Sequence, residues 1–183
     1  MKKIIFAVAG FLIASAAWAQ NVQSLSNSPK EIKKEKRLIK KDLKRKEVAP
    51  ESKMQFQNDF PGASHVTYLH TQQYDKISFT NAKKIKLDAF YDANHALIGT
   101  VKNIDYKDVP RALKTKIASR FKGYTADKAL FFDDNEANDT DMTLYESSFD
   151  DADNYFIEMH NGSNKIVVKA SPDGAVSLFK KIK

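Results

Sequence analysis

Carboxylates are concentrated in one part of this sequence, between residues 133 and 153. Nine Asp and Glu side chains occur there without a single Lys or Arg. Carboxylate oxygens are the ligands that Ca²⁺ prefers, and the candidates for such a site are Asp133, Asp134, Asp150, Asp151 and Asp153. The stretch lacks the turn glycine and the final glutamate of an EF-hand loop. It therefore favours a solvated acidic loop, with weak calcium binding or docking onto a basic partner as alternatives.

Other residues that could carry chemistry form no recognisable constellation. His65 and His70 are five residues apart in a strand-like segment, so their side chains point to opposite faces and make poor joint metal ligands. The sequence has no cysteine, which excludes disulfides, thiolate metal sites and cysteine nucleophiles. It also lacks the Gly-x-Ser-x-Gly elbow, the His-Glu-x-x-His motif and a phosphate-binding glycine loop. We predict that the protein is not an enzyme and uses no cofactor.

Basic charge is segregated into an N-terminal segment. The chain has a formal net charge of +7, but residues 20–53 carry eleven basic and five acidic side chains, and residues 54–183 carry seventeen and eighteen. Ser28, Pro29 and Glu31 form a helix start with a capping box, so residues 20–49 are predicted to be a basic helical arm. The residues that could contact a polyanion are Lys33, Lys34, Arg37, Lys40, Lys41, Lys44 and Arg45. A solvated tether and a foot on anionic lipid or polysaccharide both fit this arm, whereas the absence of interleaved aromatics argues against nucleic acid.

The first nineteen residues have the pattern of a secretory signal peptide. Lys2 and Lys3 precede the apolar run from Ile4 to Ala17, and Ala17-Trp18-Ala19 offers a cleavage site before Gln20. The run is shorter than the roughly 20 residues that span a bilayer. We therefore expect a periplasmic or secreted protein after cleavage near Ala19/Gln20.

Two similar stretches follow the arm and should position the remaining residues. Pro50 and Pro110 each open a short amphipathic helix, which ends at Gly62 in the first stretch and at Gly123 in the second. Segments with period-two alternation follow each helix and are separated by turn residues such as Asn161-Gly162. The pattern predicts an α+β fold of two tandem helix-plus-antiparallel-sheet units sharing one core, residues 50–109 and 110–183. The second unit contains the acidic insertion at about 133–153.

The same residues resemble a known family. Phe56-x-x-x-Phe60-Pro61-Gly62-Ala63, Val66-x-Tyr68, Phe90-Tyr91-Asp92-Ala93-Asn94 and Val109-Pro110 are similar to the PepSY-like, beta-lactamase-inhibitor-like family of secreted bacterial proteins. Tyr155-Phe156-Ile157-Glu158 and Pro172-Asp173-Gly174 repeat the pattern more loosely. The resemblance covers residues 48–183 and implies a tandem PepSY-like fold, export and a non-catalytic binding role. The chain departs from the family where Tyr68 replaces a tryptophan and His95 replaces a turn glycine.

These observations predict a non-catalytic, exported protein-binding module that inhibits or regulates an envelope enzyme through an exposed sheet face. Tyrosine is favoured at protein interfaces, and the candidates for contact are Tyr68, Tyr74, Tyr91, Tyr124 and Tyr155. The alternative is an envelope-surface binder that docks on anionic lipid or polysaccharide through the basic helix at residues 28–48. The partner of the first model is an unknown envelope protein, and we expect a monomer.

Overall fold

The structure, a computed structural model, describes Lys33 and residues 47–182. The predicted signal peptide and most of the basic arm therefore lie outside the described residues. The helices are α1 (Pro50–Asp59), a short 3₁₀ helix (Tyr106–Asp108) and α2 (Arg111–Arg120). The strands are β1 (Ser64–His70), β2 (Asp75–Thr80), β3 (Lys86–Tyr91), β4 (Leu97–Ile104), β5 (Thr125–Asp134), β6 (Met142–Leu144), β7 (Ser147–Phe149), β8 (Asn154–Asn161), β9 (Asn164–Ala170) and β10 (Val176–Ile182).

Eight of these strands form one continuous antiparallel sheet in the order β1-β2-β3-β4-β5-β8-β9-β10. Strands β6 and β7 pair only with each other and form a separate hairpin. At the centre, β4 and β5 pair from Gly99 opposite Asp134 to Ile104 opposite Ala129. The sheet therefore has no border between its two halves.

The predicted α+β fold of two helix-plus-sheet units is wrong. Within residues 47–182 the chain forms ten strands and only two α-helices, each of ten residues. The fold is dominated by the sheet, because the β4–β5 pairing continues the backbone ladder through the position where a unit boundary was expected. The prediction gave too much weight to the two helices. A proline in the first turn indicates where a helix begins, but it does not indicate how much of the fold that helix forms.

The two helices lie on one face of the sheet, each over its own cluster of buried side chains. Phe56 of α1, with 2% of its surface exposed, packs with Ile77 and Tyr91. Leu113 and Ile117 of α2 pack on β5, β8 and β9. Each helix is followed by a glycine in the left-handed region, Gly62 at φ 83° and Gly123 at φ 82°. The helices end at Asp59 and Arg120, three residues before these glycines, so the predicted ends at Gly62 and Gly123 are too far along the chain. The glycines instead lie in the turns that follow the helices, which are closed by hydrogen bonds from Ala63 N–H to the Phe60 carbonyl and from Tyr124 N–H to the Phe121 carbonyl.

The β6–β7 hairpin covers part of the opposite face. Met142 and Phe149 are almost fully buried, with 1% and 4% exposed, in a cluster that includes Phe132 and Phe156. Phe149 meets Phe132 edge-on, with ring centroids 5.0 Å apart. The prediction of a solvated loop is therefore wrong for this part of the acidic insertion, because the two apolar residues anchor it to the sheet.

Candidate functional site

A groove lies on the sheet face that α1 and α2 do not cover. Ile77 and Phe79 point toward α1, so Lys76, Ser78 and Thr80 of β2 point to the other face. Their partners across the β2–β3 ladder are Phe90, Asp88 and Lys86. Together with β4, β5 and the hairpin, these side chains line a groove of about 640 Å³.

The floor of the groove is apolar. Phe90, Val101 and Leu130 line it and are 3%, 6% and 8% exposed. Tyr74 stands edge-on to Phe90 at one side, with ring centroids 5.0 Å apart. Leu69 of the edge strand β1 also lines the groove and is 55% exposed. The three floor residues are therefore almost fully buried, and among the described residues that line the groove Leu69 is the large apolar side chain that is exposed.

Lysines outnumber carboxylates around this floor. Lys76 pairs with Asp88, with nitrogen and oxygen 2.7 Å apart, and its ammonium lies 6.0 Å from the centre of the Phe90 ring. Lys86 and Lys128 line the groove as well, beside a single lining carboxylate among the described residues. Burial, and then the charge of Asp88, raise the pKa of Tyr74. Its phenol is therefore a neutral hydrogen-bonding group at physiological pH.

The tip of the hairpin forms one wall of the groove and is locally strained. Tyr145 and Glu146 have φ of 51° and 58°, the two left-handed residues of a tight hairpin turn that normally contains Asn or Gly. The Tyr145 hydroxyl donates to Glu158 Oε1 of β8 at 2.6 Å. Burial, and then this bond and the Glu158 charge, raise the pKa of Tyr145. The hydrogen bond fixes the wall to the sheet.

The five tyrosines predicted as interface candidates are dispersed. Tyr74 lines the groove, and Tyr68 is 46% exposed beneath the Lys53 ammonium, which is 4.9 Å from its ring. Tyr91 is fully buried, and its hydroxyl donates to Asp59 at 2.9 Å, so it offers no surface to a partner. Tyr124 and Tyr155 pack, partly buried, against the cluster under α2.

The acidic candidates come together only in part. The Asp134 backbone N–H donates to Asp153 Oδ1 at 2.8 Å, whereas Asp133 and Asp150 are exposed. Burial, then a hydrogen bond to Asp151, and then the charges of Asp151 and Asp153 raise the pKa of Asp134 to about 7. Within the described part of the chain, no group of three or more His, Asp or Glu side chains is placed to hold a metal ion.

A Ser-Asp-His arrangement under α1 was not predicted from the sequence. Ser52 Oγ donates to Asp75 Oδ2 at 2.7 Å and lies 3.0 Å from His95 Nδ1. The Ala49 backbone N–H also donates to Asp75, which is 5% exposed, and His70 Nδ1 lies 2.5 Å from its other oxygen. Ser52 is fully buried, so no substrate reaches its hydroxyl. The network anchors the start of α1 to β2.

Several groove residues were also missed by the sequence analysis. Lys76, Lys86, Lys128 and Tyr145 line the groove but belong to no motif. Alternation along β2 and β3 places residues on two faces, yet it does not indicate which face the helices cover. The position of the hairpin depends on Met142 and Phe149, which are apolar residues within a stretch rich in carboxylates.

The basic arm is described at one position only. Lys33 is helical and exposed, and the other polyanion candidates, with the predicted signal peptide, lie outside the described residues. In the part of the chain that the structure describes, neither helix has both the length and the apolar character to cross a bilayer.

Comparison with known proteins identifies the fold. No protein-family model and no curated protein matches the sequence. Among solved structures, a BLIP-like protein from Bacteroides fragilis aligns with a TM-score of 0.56 and 13% identity, over 73% of this chain and 86% of that chain. A DUF2874 family protein from Bacteroides uniformis aligns with a TM-score of 0.60 and 12% identity, over 73% and 89%. A candidate periplasmic protein from Bacteroides eggerthii aligns with a TM-score of 0.59 and 12% identity, over 74% and 89%.

These similarities support one of the two names under which the sequence resemblance was described. The beta-lactamase-inhibitor-like designation corresponds to the BLIP-like name of the Bacteroides fragilis protein. The PepSY-like designation has no counterpart in the descriptions of these structures. At 12–13% identity the likeness concerns the backbone arrangement alone. The chain therefore has the fold of a BLIP-like protein.

Proposed function

We propose that this chain is a non-catalytic, exported member of the beta-lactamase-inhibitor-like family that binds a protein partner in the groove. The observation that carries the proposal is the groove on the sheet face opposite the helices, which is lined by the exposed Leu69 of the edge strand. The BLIP-like fold supports a binding role. The predicted signal peptide and the candidate periplasmic relative support action in the periplasm.

The arrangement of polar groups supports binding rather than catalysis. The Ser52, Asp75 and His95 network resembles a nucleophile with its base, but it is closed to solvent at Ser52. In the groove, Lys76 is paired with Asp88 and the Tyr145 hydroxyl is bound to Glu158. We infer that the groove recognises a surface and that the function is to inhibit or regulate an envelope enzyme.

A matched pair of exposed leucines tests this proposal. Leu69 on β1 lines the groove and is 55% exposed, whereas Leu178 on β10 is 45% exposed and lies outside it. The mature chain, residues 20–183, is used to capture proteins from an envelope extract of the source bacterium at physiological salt. We expect Leu69→Asp to lose one discrete protein that the original chain and Leu178→Asp both retain. Equal retention by the two variants would contradict binding through the groove.

The charge segregation favours one second candidate, an envelope-surface binder. Residues 20–53 carry eleven basic and five acidic side chains, and such a segment binds anionic lipid or polysaccharide by salt-sensitive attraction. In the same experiment, this function would appear as retention of lipid or polymer that high salt abolishes. That retention would be unaffected by Leu69→Asp and lost on deleting residues 20–46.

A further inference from the structure

We propose that the carboxylates of Asp134 and Asp151 and the side-chain amide oxygen of Asn154 bind a calcium ion. The site lies where the chain leaves β5 and enters β8, and these three residues do not line the groove. The inference therefore goes beyond the proposed function and does not depend on a protein partner.

Buried oxygens without a hydrogen-bond partner mark this place. Within residues 47–182, the buried side-chain nitrogen and oxygen atoms that lack a partner are Asp134 Oδ1, Asp151 Oδ1 and Asn154 Oδ1. Native proteins pair almost all of their buried polar atoms, because an unpaired one loses its hydration without compensation. All three atoms belong to residues at the same end of the β5–β8 pair. A single ligand shared by the three oxygens accounts for all of them.

Asn154 provides evidence that is independent of the acidic residues. It is uncharged and only 2% exposed. Asn154 pairs with Phe132 across the β5–β8 ladder, and continuing that register by two residues places Ala152 opposite Asp134. The Asn154 amide nitrogen donates to the Ala152 carbonyl oxygen at 2.9 Å, so the side chain turns along the strand toward the position of Asp134. Its unpaired oxygen is therefore held beside the carboxylates.

The two carboxylates lie beside each other without a basic neighbour. Asp134 and Asp151 are close enough for a hydrogen bond between their carboxyl groups. Neither forms an ion pair with a described Lys, Arg or His side chain, and residues 133–153 include no Lys or Arg. Asp153, whose Oδ1 accepts the Asp134 backbone N–H at 2.8 Å, adds a further negative charge. A cation would neutralise this cluster, whereas a water molecule would supply hydrogen bonds only.

The chemistry of these oxygens favours calcium. Ca²⁺ binds carboxylate and amide oxygens in flexible geometry and completes its shell with water, whereas Mg²⁺ demands a near-ideal octahedron. Among the described residues, His, Asp and Glu side chains alone form no group of three that could hold a metal ion. The amide oxygen of Asn154 is thus the third protein ligand. So few charged ligands are typical of weak extracellular calcium sites, which have a Kd of about 0.1–1 mM.

A calcium ion at this position would join the two ends of one connection. Asp134 is the last residue of β5, Asn154 is the first residue of β8, and Asp151 lies just before it. The chain between these ends forms the β6–β7 hairpin, whose tip is a wall of the groove. Calcium would therefore also restrain the wall, and we expect slower amide hydrogen exchange in the hairpin when calcium is bound.

Thermal unfolding of the mature chain, residues 20–183, tests the inference at pH 8. The melting temperature in EGTA is compared with that in 10 mM CaCl₂, in 10 mM MgCl₂ and in NaCl of equal ionic strength. We expect CaCl₂ to raise the melting temperature by about 3–10 °C, which follows from a Kd of about 0.1–1 mM, and the other two salts to raise it less. Equal effects of the three salts would overturn the inference. So would the absence of a calcium effect, which is the result expected if water occupies the site.

A matched pair of substitutions locates the ion. Asp151→Asn removes the charge of one ligand, and Asp150→Asn makes the same change at the exposed neighbouring position. Because Asp151→Asn also removes repulsion with Asp134, the variant should remain folded in EGTA. We expect it to lose most of the rise in melting temperature with calcium, whereas Asp150→Asn should keep that rise. A rise that Asp151→Asn retains in full would place the ion elsewhere and overturn the inference.

Asn154→Asp tests the third ligand by a gain of binding. The substitution keeps an oxygen at the site and adds a negative charge. The variant should be less stable than the original chain in EGTA and should gain a larger rise in melting temperature from calcium. Unfolding in EGTA with refolding in CaCl₂ would be the same result in stronger form. A calcium response equal to that of the original chain would show that residue 154 does not reach the ion, and would overturn the three-oxygen site.

Discussion

The Asp134 carboxyl should make the stability of this protein fall as pH rises. Its pKa is raised from 3.8 to about 7, first by burial and then by Asp151 and Asp153. The folded state therefore holds a proton that the unfolded state releases between about pH 4 and pH 7. The stabilisation is complete below pH 4, is lost as pH rises to 7, and does not change further above that.

The size of the effect follows from the difference between the pKa of Asp134 in the folded state and its ordinary value. One pKa unit corresponds to about 1.4 kcal/mol, so the difference between 3.8 and about 7 sets an upper limit of about 4 kcal/mol. Asp134 is only partly buried, and solvent screens its interactions with Asp151 and Asp153. We therefore expect a loss of about 1–2 kcal/mol in unfolding free energy between pH 4 and pH 8.

Substitution by asparagine isolates this contribution. Asp134→Asn cannot ionise, and its amide can still donate to Asp151. It should be more stable than the original chain by about 1–2 kcal/mol at pH 8, and the advantage should shrink as pH falls to 4. Asp133→Asn removes a formal charge from the neighbouring exposed position and should retain the original pH dependence.

Urea unfolding followed by circular dichroism at pH 4, 5, 6, 7 and 8 provides the measurement. Parallel stability curves for Asp134→Asn and the original chain would refute the reasoning, because the pH dependence would then come from other groups. A change of the same size in Asp133→Asn would also refute it, since that effect would reflect net charge rather than the Asp134–Asp151 contact.

Three further substitutions test particular contacts. Gly99→Ala should lower the unfolding free energy by about 2–3 kcal/mol. The added Cβ would lie 2.6 Å from the Asp133 carbonyl oxygen and 2.7 Å from the Phe132 ring. An unchanged thermal melting temperature would contradict this prediction. Ser52→Ala should lower the unfolding free energy by about 1–3 kcal/mol, because it removes a hydrogen-bond donor to the buried Asp75. Amide hydrogen exchange should also accelerate in α1. Unchanged protection of the α1 amides would argue against the anchoring role. Glu146→Gly should stabilise the protein by up to about 1 kcal/mol in urea unfolding by relieving a left-handed residue at φ 58°; a loss of stability would show that the tip is not strained.

The turns and their neighbouring strands were predictable from the sequence because they depend on local chemistry. Asn161-Gly162 marks the β8–β9 hairpin, and Gly162 has φ 57°. His95 occupies a turn position where a glycine was expected, and it adopts φ 65° as a glycine would. Its contact with Ser52 Oγ at 3.0 Å lies in the network at the start of α1. The sequence predicts the turn at His95, but it does not indicate that the His95 side chain lies beside Ser52.

The continuous sheet and the groove depend on contacts between distant residues. Nothing local to Gly99 or Asp134 indicates that they pair across the centre of the sheet. Tyr74 and Tyr91 show the same limit, because both lie near the ends of strands, yet one lines the groove and the other is fully buried. Alternation assigns side chains to two faces, and tertiary packing decides which of them is covered.

The order of strands in the sheet makes the groove wall a separable module. Two pairs of neighbouring strands in the sheet are joined by long connections: residues 105–124, which contain α2, join β4 to β5, and residues 135–153, which contain the β6–β7 hairpin, join β5 to β8. The second of these connections forms the groove wall. Loop-closure entropy changes by only about 0.6 kcal/mol when such a connection doubles in length. Insertions and exchanges there are therefore tolerated as long as apolar anchors equivalent to Met142 and Phe149 remain on Phe132 and Phe156. The shape of the groove can thus change through one connection while the sheet stays constant.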